Sequence, residues 1–203
     1  MKIRELTSLF AIVAFLAVGC HTEPTPDTPD KPEPTPTDGV AFTANYFDCE
    51  YYGDYYTPNI GNYYIHLSDS GFTESGYARP NSTYYRLDLY SDLYDDAEGG
   101  ALHLPVGTYT LDTEDTLAHG TFSVAWSKYL RSDAEGEFSE ELSFEAGELI
   151  VTESGAQLKV TIAGKEHTVT YEGEMFVADK RIDDGNNDDR PEGILSTLTE
   201  DKR

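Results

Sequence analysis

The sequence predicts an all-β protein in which about eight strands form an antiparallel meander that closes as a sandwich or a barrel. From Val40 onward, apolar and polar residues alternate with a period of two, which places successive side chains on opposite faces of a strand. Short segments containing glycine interrupt this alternation, as hairpin turns require. The strand-like segments are also rich in β-branched and aromatic residues, which fit a half-buried sheet surface.

The alternation assigns each strand an inward and an outward face. The residues predicted to face inward are Tyr63, Ile65 and Leu67; Tyr85, Leu87 and Leu89; Phe122, Val124 and Trp126; Leu149 and Val151; Leu158, Val160 and Ile162; and Val169 and Tyr171. The residues predicted to face outward are Tyr64, His66 and Ser68, followed by Tyr84, Arg86, Asp88 and Tyr90.

Turns are predicted at residues 153–155, 163–165 and 104–107, which separate strand-like runs. The segment 40–180 is long enough to build one hydrophobic core, so we expect a single β domain there. The acidic segment 181–203 is predicted to be a closing edge strand or the start of an incomplete repeat. A short similarity between residues 171–174 and 51–54 suggests the repeat.

Residues 1–19 are predicted to be a secretory signal. A basic start precedes an apolar run over residues 9–18 that is too short to span a bilayer. The sequence LAVGC at 16–20 resembles the cleavage box of bacterial lipoproteins. This resemblance implies a lipidated Cys20 as the mature N-terminus, anchored in a membrane by several acyl chains. The alternative is an ordinary signal followed by an incidental cysteine.

Residues 20–39 are predicted to be a tether between Cys20 and the β domain. Six of the ten prolines lie here, among Thr, Asp and Glu. Proline-rich chain favours the extended polyproline form at about 3.1 Å per residue, which gives a spacer of roughly 60 Å. No partner for the tether is indicated.

The formal net charge of the chain is −24. Such a charge repels phosphates and anionic lipid heads, so the sequence predicts no nucleic-acid partner and no polyanion partner. With Cys20 lipidated, Cys49 is the one remaining cysteine. Cys49 lies on the apolar side of its strand, which predicts a buried free thiol.

The lipoprotein box and the proline-rich tether are followed by YYGDYYTPNIGNYYIHLSD, YYRLDLYSD, LPVGTYTLD, FEAGELIV and HTVTYEGE. Together these segments resemble uncharacterised surface lipoproteins of gut Bacteroidetes. The resemblance implies a lipid-anchored protein of the outer membrane, displayed at the cell surface or on the periplasmic side. Proteins of this group are often associated with glycan capture, and the resemblance implies no reaction.

Motifs for catalysis or metal binding are missing from the sequence. There is no nucleophile elbow, phosphate loop or zinc-protease motif, so we expect neither an enzyme nor a cofactor. Asp184, Asn186 and Asp188 match the start of a calcium loop, but the glycine and the final glutamate that such a loop needs are missing, which favours a solvated acidic loop. The four histidines of the β domain lack ligand spacing and are expected at the surface or at strand edges: His66, His103, His119 and His167.

The segment 51–64 holds six tyrosines. Tyr51 and Tyr63 are predicted to pack in the core. Tyr55 and Tyr56, beside Pro58 in a loop, are the better ligand candidates. A carbohydrate site needs exposed rings beside polar groups. The candidate rings are Tyr52, Tyr55, Tyr56, Tyr64, Tyr84 and Tyr90, and the candidate polar partners are Asp54, Asn59, Asn62, Arg86 and Asp88.

Two functions remain open from the sequence. The first is a non-catalytic surface module that binds a glycan or a protein partner. The second is a structural or assembly lipoprotein without a small-molecule ligand. Several exposed tyrosines in one patch would favour the first function. A long unpaired edge strand would favour the second.

Overall fold

The structure is a computed structural model that describes residues 39–95 and 100–181. All regular structure in these residues is β, so the predicted all-β class is confirmed. The strands are β1 (Val40–Thr43), β2 (Tyr46–Gly53), β3 (Gly61–Ser68), β4 (Thr83–Ser91), β5 (Gly107–Asp112), β6 (Thr121–Ser123), β7 (Lys128–Ser132), β8 (Phe138–Ser143), β9 (Ala146–Thr152), β10 (Gly155–Ile162), β11 (Lys165–Glu172) and β12 (Val177–Asp179).

The 12 strands form one curled, mixed sheet with the shape of half a barrel. Its order is β1, β11, β10, β9, β5, β6, β4, β3, β2, β12, while β7 pairs with β4 and β8 pairs with β7. Three neighbouring pairs are parallel: β1 with β11, β12 with β2, and β5 with β6. The prediction of about eight strands in an antiparallel meander is therefore matched only in part. The parallel pairs each include a strand of three or four residues, which is too short for alternation to reveal.

Two three-stranded antiparallel meanders form most of the sheet. The first meander consists of β2, β3 and β4, and the second of β9, β10 and β11. The turns predicted within the second meander are confirmed, because Glu153 and Ser154 join β9 to β10, and Ala163 and Gly164 join β10 to β11. Ala163 and Gly164 both have positive φ, at 49° and 72°, as a two-residue hairpin of type I′ requires.

At two bends the chain passes directly from a strand on the side of one meander to a strand of the other. Only residues 44–45 separate β1 from β2, and only residues 144–145 separate β8 from β9. β1 lies beside β11 of the second meander, whereas β2 belongs to the first. β8 reaches the first meander through β7 and β4, whereas β9 belongs to the second. At each bend, one continuous segment of chain therefore connects the part of the sheet that contains the first meander with the part that contains the second.

The concave side of the sheet holds the core. The residues buried there include Cys49, Tyr51, Tyr63, Ile65, Leu67, Leu87, Leu89, Phe122, Leu149, Val151, Leu158, Val160, Ile162 and Val169. The predicted packing roles of Tyr51 and Tyr63 are confirmed, since their ring centroids lie 4.7 Å apart inside this core. The predicted burial of Cys49 is also confirmed, and burial raises the pKa of its thiol.

Three expectations about exposure are wrong. Trp126 was expected to face inward, but β6 ends at Ser123 and the indole, in the turn that follows, is 47% exposed. His66 and His167 were expected at the surface or at strand edges, but both are buried in strands that pair with a neighbour on each side. The outward side chains of β4 are also buried, because β4 lies inside the sheet and the segments at Gly71 and Trp126 contact its outer face.

Several sequence predictions concern residues outside the described ranges. These are the signal over residues 1–19, the lipidated Cys20, most of the tether, and the acidic segment with Asp184, Asn186 and Asp188. Within the ranges that the structure describes, none of the chain forms a helix with the length and apolar character needed to cross a membrane.

Candidate functional site

The outer side of the first meander carries a set of polar and aromatic residues that we call the polar face. Along each strand these residues alternate with the core residues, so they lie on the opposite side of the sheet. Strand register places Asp48, His66 and Arg86 in one row, and Glu50, Tyr64 and Asp88 in the next. Tyr52, Asn62 and Tyr90 complete the polar face.

Asp88 is the centre of a buried hydrogen-bond network on this face. The Asn62 side-chain amide donates to Asp88 Oδ1 at 2.7 Å, and the Tyr90 hydroxyl donates to Asp88 Oδ2 at 2.9 Å. Burial raises the pKa of Asp88, while these two hydrogen bonds oppose the rise. The side-chain carbonyl oxygen of Asn62 is buried and has no hydrogen-bond partner among the described residues. One acceptor on the face is therefore unused.

Arg86 lies in the neighbouring row and is 7% exposed. Its Nε donates to the backbone oxygen of Trp126 at 3.0 Å, and its Cζ lies 6.0 Å from the centre of the Tyr64 ring. His66, directly opposite Arg86 in the register, is 2% exposed, and its Nε2 has no hydrogen-bond partner among the described residues. Burial and then the charge of Arg86 lower the pKa of His66 to about 3, so the imidazole is neutral at pH 7.

An aromatic cluster borders the polar face where β2 leads into the loop over residues 54–60. The Tyr52 hydroxyl donates to Glu50 Oε2 at 2.6 Å, and the Tyr52 ring lies 6.2 Å from the ring of Tyr56. Tyr55 and Tyr56 form an edge-to-face pair at 5.0 Å and are 57% and 55% exposed. The pKa of Tyr64 is raised, first by burial and also by neighbours that include Tyr56. The exposed rings thus adjoin the buried polar groups.

The structure brings five of the predicted site residues into one region: Tyr52, Tyr56, Tyr64, Arg86 and Asp88. Tyr55 and Asp54 lie in the adjoining loop and are exposed. Tyr84 lies on the same outer face of β4, one row beyond Arg86, but it is buried in a small cluster with Phe72, Leu130 and Phe138, where its hydroxyl donates to the Gly71 backbone oxygen at 2.7 Å.

Sequence reasoning did not identify His66, Glu50 or the turn at Trp126 as parts of this site. His66 was assigned to the outward face of its strand, which is correct, but the covering of that face was not foreseen. A usable signal was available in the sequence, because Asn62, Tyr64 and His66 are consecutive outward residues and each can bind a ligand.

A second feature lies away from the polar face. A cavity of about 350 Å³ is lined by His103, Leu104, Val106, Thr152, Glu153, Glu174 and Met175. Its two carboxylates, Glu153 and Glu174, lie on separate loops, and no hydrogen bond links them, so it lacks the converging polar groups of a specific site. In the part of the chain that the structure describes, no group of His, Cys, Asp and Glu side chains could hold a metal ion.

Exposed rings of the aromatic cluster therefore adjoin a polar face with two buried atoms, Asn62 Oδ1 and His66 Nε2, that have no hydrogen-bond partner among the described residues. In comparisons with known proteins, no family model matches the chain, and no curated protein or solved structure is significantly similar to it. The function of the chain is accordingly inferred from the chemistry of its own residues.

Proposed function

We propose that the β domain is a non-catalytic binding module that takes up a glycan on the polar face. Sugar rings present apolar C–H faces that pack on aromatic rings, while their hydroxyls need hydrogen-bond donors and acceptors. The observation that carries the proposal is that the exposed Tyr55 and Tyr56 pair borders a face whose buried polar groups include two atoms, on Asn62 and His66, without a hydrogen-bond partner among the described residues. Buried polar atoms without partners are rare, and a ligand would satisfy them.

We further propose that this module is a lipoprotein of the outer membrane. Lipidated Cys20 would hold the domain through the tether over residues 20–39, and the membrane would be a partner through the lipid alone. Display at the cell surface would give the polar face access to environmental polysaccharides, with the periplasmic side as the other location. Incorporation of labelled palmitate, lost in Cys20→Ala, tests the anchor, and protease treatment of intact cells tests the display.

The glycan proposal is tested by replacing Tyr55 and Tyr56 together with alanine. We expect the double variant to lose retention on a polysaccharide panel, because its stacking platform is gone, while its melting temperature stays nearly unchanged, because both rings are exposed. Tyr77→Ala is the matched control, since Tyr77 is 71% exposed and lies in a different loop. Unaltered retention in the double variant, or equal loss in Tyr77→Ala, would remove this pair from the site.

A structural or assembly role is the second candidate, and one observation favours it. β8 pairs with β7 alone among the described strands, so one edge of its six residues is open to a partner strand. The substitutions Ser139→Lys and Glu141→Lys should block pairing of β8 with a partner strand, because lysine on an edge strand disfavours such pairing. If these substitutions abolish cross-linking to an envelope protein while glycan retention is absent in the wild type, the assembly role replaces the binding role.

A further inference from the structure

We propose that Arg86 and His66 form a subsite for the carboxylate of an acidic sugar, so that the ligand of the polar face is a glycan bearing uronate groups. This inference rests on the proposed glycan-binding function and names the class of ligand. It depends on three features: a buried guanidinium that forms no ion pair with a described residue, an unpartnered imidazole nitrogen opposite it, and neighbouring carboxylates that are either hydrogen-bonded to other groups or exposed to solvent.

The guanidinium of Arg86 is held in place but forms no ion pair among the described residues; Asp88, two residues along β4, feels its charge, which opposes the rise in the pKa of that carboxyl. The Nε hydrogen bond to the Trp126 backbone oxygen and the Tyr64 ring 6.0 Å from Cζ fix its position. No carboxylate among the described residues lies within ion-pair distance of it, although Arg86 is only 7% exposed as a residue. A buried charge without a partner is costly, and a ligand carboxylate would offset that cost. Its two terminal nitrogens form the fork that binds a carboxylate through two parallel hydrogen bonds.

His66 adds a donor beside this fork. It lies opposite Arg86 in the strand register, so both side chains project from the same face of neighbouring strands. Its Nε2 is buried without a partner. The rings of Tyr64 and Phe72, both partly exposed, pack against the imidazole at 5.4 and 5.0 Å, and a small shift of these rings would open Nε2 to a ligand oxygen. Neutral imidazole can donate a hydrogen bond from Nε2 in one tautomer.

The nearby acidic groups leave the subsite open. Asp88 lies two residues along β4 on the same face, but its carboxylate oxygens accept from Asn62 and Tyr90. Asp48 lies opposite His66 on β2 and is exposed to solvent, and Glu50 accepts from the Tyr52 hydroxyl. A carboxylate supplied by a ligand is therefore the group that would satisfy the guanidinium.

The net charge of −24 limits which acidic glycan can bind. Charge repulsion across the surface is screened beyond about 8 Å at physiological ionic strength, whereas a carboxylate in contact with Arg86 is not. A polymer with scattered uronate groups on a neutral backbone is only weakly repelled by the protein at long range. A densely charged polyanion is strongly repelled, which agrees with the prediction of no nucleic-acid partner. The subsite thus fits a sparsely acidic glycan.

The test compares uronate-bearing polysaccharides with the same polymers after carboxyl reduction, which turns each uronate into a neutral sugar and leaves the linkages unchanged. Affinity electrophoresis of the full chain with both forms measures retention. Because a charge-assisted hydrogen bond is strong, we expect reduction to weaken binding of at least one polymer by about tenfold or more. Equal retention on the two forms, or retention on neutral polymers alone, overturns the carboxylate subsite and leaves glycan binding standing. No retention on any polymer overturns both.

Variants assign the effect to Arg86. Arg86→Gln should bind the native and the reduced polymer equally, and Arg86→Lys should recover only part of the preference because it lacks the planar fork. Arg131→Gln is the matched control, since Arg131 on β7 is exposed and pairs with Glu140 at 3.7 Å. Circular dichroism and the melting temperature show whether each variant folds. A folded Arg86→Gln that still prefers the native polymer places the carboxylate elsewhere and contradicts the inference.

Discussion

The two meanders share an inner face but differ in their outer face. On the inner side, Ile65 and Leu87 of the first meander and Leu158 and Val169 of the second are equally buried. On the outer side, the row Glu148, Lys159 and Thr168 of the second meander is exposed or half exposed. The corresponding region of the first meander holds buried Arg, Asp and His residues. A sheet that needed only a core has no need to bury these groups, so the difference supports the proposal that the polar face binds a ligand.

The largest effect is expected where the meanders are alike. Leu87→Ala and Leu158→Ala each remove a completely buried side chain from the inner face. We expect each to lower the free energy of unfolding by about 2–5 kcal/mol, measured by urea denaturation. If one variant loses less than about 1 kcal/mol, the inner face of that meander is not part of the common core, and the comparison fails.

A smaller effect separates the outer faces. Asp88→Ala leaves the buried Asn62 amide and the Tyr90 hydroxyl without their acceptor. We expect a loss of about 1–3 kcal/mol in the free energy of unfolding, because unsatisfied buried donors are costly. Thr170→Ala on the outer face of the second meander should change it by about 0.5 kcal/mol or less. Equal effects at the two positions would show that burial on the first outer face is energetically unimportant.

The smallest effect depends on pH. The pKa of His66 is lowered to about 3 in the folded protein from an ordinary value of 6.5. Below pH 6.5 the His66 imidazole binds a proton in the unfolded chain but not in the native chain. The free energy of unfolding therefore falls as the pH is lowered towards 3. Between pH 6.5 and pH 5 the loss from this residue should be about 1.5 kcal/mol, because the unfolded histidine is already half protonated at pH 6.5.

His66→Gln isolates this contribution, since the glutamine cannot titrate. The difference in unfolding free energy between wild type and His66→Gln should therefore shrink as the pH is lowered from 7 to 5. His167, whose pKa is also lowered by burial and then by Lys165, is present in both proteins and cancels. A difference that stays constant over this range would show that His66 takes up its proton at the same pH in the native and in the unfolded state, and that its pKa is not lowered.

The inner face of each meander could be predicted from the sequence because alternation is local. The side chain at i+2 returns to the same face whatever the sheet does, so the burial of Ile65, Leu89 and Val160 follows from the strand pattern alone. The hairpin turn at Ala163 and Gly164 is equally local, since two residues decide it.

The polar face could be predicted only in part because it depends on contacts between distant segments. Alternation placed Tyr64, Arg86 and Asp88 outward, but their rows require the pairing of β2, β3 and β4. Burial of Arg86 also depends on a turn 40 residues away, where Trp126 supplies the backbone oxygen. β1 escaped prediction for the same reason, since four residues starting at Val40 pair with a strand that begins at Lys165.

The two bends affect how the domain unfolds. Ala44 donates its backbone N–H to the Thr170 oxygen at 2.8 Å, and Glu145 donates to the Thr161 oxygen at 2.8 Å, so each corner is fastened to the second meander. Separation of β2 from its neighbouring strands therefore strains the pairing of β1, and separation of β9 strains the pairing of β8. Local opening of one meander thereby disturbs the other, and amide hydrogens at both corners should exchange only through a cooperative, whole-domain opening. A ligand held on one side of the sheet would then slow exchange on both.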